Sequence, residues 1–118
     1  MELPARSVKP EDSPWSPNCD VTVSKERVTI LVELAGLRAA DLEITMQENR
    51  LQIQGDRQRP GAETVNVPSI GEVKFGRFHA VLEMPPRFDL AQAKAAYSNG
   101  FLRIEVPAAE GTTSPGVL

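Results

Sequence analysis

The stretch that decides the fold is Ala95-Ala96-Tyr97-Ser98-Asn99-Gly100-Phe101-Leu102-Arg103-Ile104-Glu105-Val106-Pro107. Asn-Gly between two alternating runs is the strongest short signal for a β-hairpin, because both central positions of a type I′ turn need positive φ. Past the turn, Leu102, Ile104 and Val106 share one face while Arg103 and Glu105 share the other. Pro107 closes the run, since it has no N–H to give to a ladder. The segment predicts two antiparallel strands with one apolar face and one wet face.

The same alternation recurs upstream. Asp20 to Lys25 sets Val21 and Val23 on one face, and Arg27 to Leu34 does the same for Val28, Ile30, Val32 and Leu34, with Leu31 alone on the outer face. The short Lys25-Glu26 link makes these two an antiparallel hairpin. Ala35-Gly36 breaks the run, and Arg38 to Asp41 has room for one helical turn, too short to stand alone. Leu42 to Gln47 alternates again, with Leu42, Ile44 and Met46 opposite Glu43, Thr45 and Gln47. Glu48-Asn49-Arg50 predicts a tight turn with Asn49 in the left-handed region, after which Leu51 and Ile53 continue the pattern. Arg77 to Met84 aligns Phe78, Ala80, Leu82 and Met84 until Pro85-Pro86 stops it, and Asp89 is placed to cap the turn that follows. Short strands at regular spacing, with turn signals between them, predict an all-β sandwich.

Composition agrees. A chain of 118 residues is one domain by length, and with 5% aromatics its core must be built from Val, Ile and Leu. A net charge of −3 provides no electrostatic footprint for nucleic acid or an anionic membrane surface. No apolar run approaches ~18 residues, so no membrane span is expected. Cys19 is the single cysteine, which excludes an internal disulfide and suits a small strand residue in a reducing compartment; the cytoplasm is the expected location.

Residues 1–17 read as a flexible arm, because Pro4, Pro10, Pro14 and Pro17 forbid a helix or a central strand. Leu3, Val8 and Trp15 are its large apolar side chains, candidates for contact with other chains; Trp15 is either an exposed sticky anchor or packs onto the first strand. Residues 18–107 form the sandwich and 108–118 a flexible polar tail. Gly55 to Gly76 is the long irregular connection, with Pro60-Gly61 inside it and a short alternating pair, Val65 and Val67, cut off by Pro68. A connection of this length inside a compact domain usually has a function. The Val65–Val67 run either adds as a strand to another subunit's sheet edge or folds back on its own chain.

Catalytic chemistry has little to stand on. His79, the single histidine, falls on the outer face of a predicted strand, without the partners of a Ser-His-Asp arrangement. Cys19 and His79 do not make a metal set. Gly71-Glu72-Val73-Lys74-Phe75-Gly76 has the glycine spacing of a phosphate loop but continues into Arg77-Phe78 instead of Lys-Ser/Thr. No cofactor is implied.

The closing motif, Ala-x-Tyr-x-Asn-Gly-Phe-Leu ending in Val-Pro, resembles the signature of the α-crystallin domain of small heat shock proteins. Leu34-Ala35-Gly36-Leu37 then Asp41-Leu42 resembles that family's Leu-Pro-Gly-x then Asp-Ile segment. Asn49-Arg50-Leu51-Gln52-Ile53-Gln54-Gly55-Asp56-Arg57 resembles Asn-x-Leu-x-Ile-x-Gly-Glu-Arg, and Glu72, Phe75, Gly76, Phe78 and Pro85 fit the next stretch. The pieces come in the family's order from about Pro17 to Pro107. The resemblance implies an immunoglobulin-like β-sandwich and an ATP-independent chaperone that holds non-native proteins. The long loop is similar to that of bacterial and plant-type members, where it carries a strand exchanged between two protomers. Carried over, this homodimer interface comprises Val65, Val67 and Ile70 against Val21 and Val23 of the partner. The resemblance further implies a groove for apolar tails or client segments between two edge strands, lined by Leu42, Ile44 and Met46 on one and Ala93, Ala95 and Tyr97 on the other. Four departures matter. Ala35 replaces a usual proline, Ala80 replaces an arginine that supports the dimer, the tail lacks an Ile/Val-x-Ile/Val anchor, and the arm is short. The last two argue for a dimer or small oligomer and for weaker holding. The alternative is a co-chaperone or adaptor domain of related (CS-like) sandwich fold that docks on one specific partner.

Overall fold

The computed structural model describes residues 13–61 and 70–109. Among these residues seven strands make two antiparallel sheets. They are β1 (Cys19–Val23), β2 (Arg27–Glu33), β3 (Leu42–Gln47), β4 (Arg50–Arg57), β5 (Gly76–Glu83), β6 (Lys94–Ser98) and β7 (Phe101–Pro107). One sheet has the order β1-β2-β7-β6 and the other β3-β4-β5. Short 3-10 turns at Ala39–Asp41 and Leu90–Gln92 enter β3 and β6. Side-chain alternation explains the stacking, since each strand must bury one face and only a second sheet can cover it.

Burial follows position in the sheet. β2 and β7 are interior strands, and their inward residues Val28, Ile30, Val32, Leu102, Ile104 and Val106 are all at most 2% exposed. Leu51 and Ile53 on β4, with Phe78 on β5, face them from the other sheet, while Leu34, Met84, Phe88 and Leu90 complete the core. Registers such as Ile30↔Ile104 and Ile53↔Ala80 bring these apolar positions opposite one another. A one-residue slip in any strand would turn its whole apolar set to water, so pattern and register enforce each other.

The closing hairpin forms as its Asn-Gly dictates: Asn99 has φ 53° and Gly100 φ 84°. Asp89 caps its turn by accepting from the Ala91 N–H at 3.0 Å. Three expectations need correction. In the β3–β4 turn the left-handed residue is Glu48 (φ 58°), not Asn49. Gln47 pairs with Arg50, which makes Glu48 the first loop position, and two-residue hairpin loops need positive φ there whatever the residue. Second, the irregular connection is shorter than Gly55 to Gly76. Gly55, Asp56 and Arg57 stay in β4, opposite Phe78, Arg77 and Gly76. Third, Trp15 packs not on the first strand but on β5, as an isolated parallel bridge to Phe78. Order also continues past Pro107, where Ala108 bridges back to Phe88.

Candidate functional site: the open borders of the two sheets

Two interior strands and one central strand are sealed by neighbours; the other four are borders. Trp15 ties the segment just before β1 to β5, so these two borders share one flank. That leaves β3 and β6 as the rims of the opposite flank. The connection from β2 to β3 crosses between the sheets there, and Tyr97 on β6 holds it. Its hydroxyl donates to the Leu34 carbonyl at 2.6 Å and accepts from the Leu37 N–H at 3.3 Å.

On this flank the strand residues of the expected groove sit at positions pointing toward the core, and Ala93, just before β6, packs against it. Leu42, Ile44 and Met46 are opposite Gly55, Ile53 and Leu51, while Ala95 and Tyr97 are opposite Ile104 and Leu102. Parity directs them inward, yet among the described residues no further strand covers them. Leu42, Ile44, Ala93 and Tyr97 are only partly buried, and Ala95 is exposed. Met46 is 48% exposed. An inward apolar side chain left half in water is what a strip awaiting another chain looks like.

The β1 border has the same character. Val21 and Val23 lie opposite the core residues Ile30 and Val28 but remain 46% and 55% exposed. Ile70 is 80% exposed. Val65 and Val67, like Leu3 and Val8 of the arm, lie outside the described residues.

Among the described residues no group of three His, Cys, Asp or Glu side chains could hold a metal. His79 lies on the outer face as expected, but half-buried, its Nε2 2.9 Å from Gln52 Oε1. Burial, reinforced by the Asp20 charge, pushes the Cys19 thiol above its ordinary range, which favours its protonated form. Asp41 is held below the usual carboxylate range, first by the Arg38 backbone N–H and then by the Arg38 guanidinium. Two concavities, of about 800 and 520 Å³, lie around the β4–β5 end, and neither is lined by β6. No helix among the described residues is long and apolar enough to cross a membrane.

Residues 20–116 match the family described as Hsp20/alpha crystallin family. The chain belongs to that family. Heat shock protein 16 of Schizosaccharomyces pombe is 30% identical over 97 residues, which cover 80% of this chain and 68% of that protein. The 17.7 kDa class II heat shock protein of Arabidopsis thaliana is 27% identical over 90 residues, 75% of this chain and 58% of its own length. Among solved structures, a small heat-shock protein from Xylella fastidiosa superposes with TM-score 0.76 at 28% identity, covering 86% of this chain and 93% of that one; its title reports a distinct high order structure. The hspA protein of Xanthomonas axonopodis superposes with TM-score 0.73 at 26% identity, covering 81% and 96%. The chain is thus an α-crystallin domain sandwich of a chaperone family, and these relatives do not favour the adaptor alternative.

Sequence reasoning missed two residues that shape the site. Arg57, 8% exposed, is the one buried charged side chain among the described residues. Gly55 lies where β4 passes the Asp41 carbonyl and the Phe78 ring too closely for a side chain. A Gly-Asp-Arg string at a strand end carries no local signal of either role.

Proposed function

We propose that this chain is an ATP-independent holdase that binds non-native polypeptides along its open sheet borders. The supporting observation is the half-exposure of Val21, Val23 and Met46, three side chains whose strand parity directs them to the core. A non-native chain exposes apolar side chains and unpaired backbone, and a border strand offers partners for both without nucleotide or bond cleavage. The β3–β6 strip takes the client or tail segment. The β1 border takes the exchanged segment of a second copy, with Val65, Val67 and Ile70 entering beside Val21 and Val23, so the working unit is a homodimer or small oligomer. The arm (1–17) and tail (108–118) flank the sandwich, and its lone thiol suits action in the cytoplasm.

The test is a heat-labile client followed by light scattering. Suppressed aggregation at molar excess, without ATP, is expected; unchanged aggregation would refute the reading. Val65→Lys with Val67→Lys places charge where pairing buries apolar surface and should move a dimer toward monomer. A solution mass unaltered by that pair would remove strand exchange as the means of dimerisation.

A further inference from the structure

Trp15 rests in a built seat. Its backbone N–H donates to the Arg77 carbonyl at 3.1 Å, and its carbonyl accepts from the His79 N–H at 2.9 Å. The indole Nε1 donates to the Gly76 carbonyl at 3.1 Å, and Ser16 Oγ donates to the His79 carbonyl at 2.9 Å. The ring meets Phe78 with centroids 5.5 Å apart and planes tilted by 55°. Over the indole, 4.5 Å from its centroid, lies the Arg57 guanidinium.

What holds that guanidinium does not involve the arm. Nε and Nη2 donate to the Lys74 carbonyl at 3.0 and 2.7 Å, and Nη1 donates to the Ala35 carbonyl at 3.1 Å. Phe75 flanks it at 5.5 Å and carries Arg59 at 4.5 Å. Arg57 is therefore positioned by β4, by the β2–β3 connection and by the residues leading into β5. If Trp15 left, the cation, the Phe75 and Phe78 rings and the β5 backbone would keep their places. Among the described residues the tie to β5 is short: one bridge at Trp15, backed by the Ser16 hydroxyl on the His79 carbonyl, and Pro17 has no N–H to extend the pairing. A strap of that size opens locally far more readily than the sandwich unfolds.

The recognition is also general. Backbone pairing accepts any sequence, and a guanidinium stacks on any aromatic ring. We propose that the β5 border at Arg77–His79, with Arg57 beside it, is a second client-docking edge, filled by the chain's own Trp15 until an extended segment with an aromatic side chain displaces it. The proposal rests on the holdase reading and adds to it a separate edge, a preferred side-chain class and an internal competitor.

Trp15 is the single tryptophan of the chain, so Trp15→Ala is free of indole emission. The probe is the hexapeptide Ser-Pro-Trp-Ser-Pro-Asn, the chain's own residues 13–18. Titrated with Trp15→Ala protein, whose fold is checked by circular dichroism, its emission should shift to the blue and saturate below about 1 mM. Wild-type protein at the same concentration should bind the fluorescein-labelled peptide at least several-fold more weakly. A version with Phe for Trp should displace the probe, and one with Ser for Trp should not. No shift up to that concentration, equal binding to wild type, or displacement by the Ser peptide would each overturn the proposal, whatever the aggregation assay shows. Should Trp15→Ala fail to fold, Arg57→Gln gives a second reading: Trp15 emission should move to the red and acrylamide quenching should rise several-fold, and unchanged quenching would overturn the role of Arg57.

Discussion

Replacing Gly55 with alanine adds one methyl group at the most crowded point of the sandwich. A Cβ there would overlap the Asp41 carbonyl oxygen and would lie 2.6 Å from Phe78 Cζ and 3.1 Å from Phe78 Cε2. Neither neighbour can yield cheaply. The carbonyl is backbone in the turn that enters β3, and Phe78 is 1% exposed in the middle of the core. Gly55 itself does not adopt positive φ, so the entire cost is steric. Overpacking of this kind typically costs about 1–3 kcal/mol, and with two rigid neighbours the upper end applies. For a domain of this size ~3 kcal/mol corresponds to a fall in Tm of roughly 12–24 °C. The assay is thermal unfolding followed by circular dichroism, with Gly76→Ala as the contrast. Gly76 has φ 94° and nothing within 4 Å of its Cβ position, so it pays for backbone conformation alone, about 1–2 kcal/mol. Gly55→Ala should be the more damaging of the two. Because Gly55 pairs with Leu42, the clash should also loosen the first part of β3 and, on the proposed holdase reading, weaken client holding at the β3–β6 strip. A Tm within a few degrees of wild type for Gly55→Ala would refute the reasoning that close approach, rather than turn conformation, requires glycine there.

Tyr97→Phe removes the hydroxyl that links Leu34 and Leu37; denaturant unfolding should show a loss of about 1–2 kcal/mol. Cys19 should react with iodoacetamide more slowly than a free thiol at neutral pH, and its rate should still be climbing with pH where a free thiol's has levelled off. Asp41 has a folded-state pKa below its unfolded one, so its contribution to stability is complete above the ordinary aspartate range and is lost as pH falls through the lower, folded value. Asp41→Asn should therefore lower the urea midpoint at pH 7, with the gap closing below about pH 4.

Local chemistry made much of this molecule legible. The Asn99-Gly100 turn, the inward sets of β2 and β7, the Asp89 cap and the places along the chain of the seven described strands follow from alternation and turn residues, which act between neighbours in the chain. The same alternation named Val21, Val23, Leu42, Ile44 and Met46 as inward-facing. The motif order resembled one chaperone family, to which the chain belongs.

Contacts between residues far apart in sequence decided the rest. Whether an inward valine is fully covered depends on its strand's place in the sheet: Val28 and Val23 are register partners, yet one is 1% and the other 55% exposed. Trp15 had two open readings until Gly76, Phe78 and Arg57 closed around it, and Arg57 became buried because Lys74 and Ala35 supplied carbonyls to its guanidinium. Periodicity specifies which face of a strand seeks cover; only the assembled sheets specify which faces find it, because cover is provided by other segments of the chain.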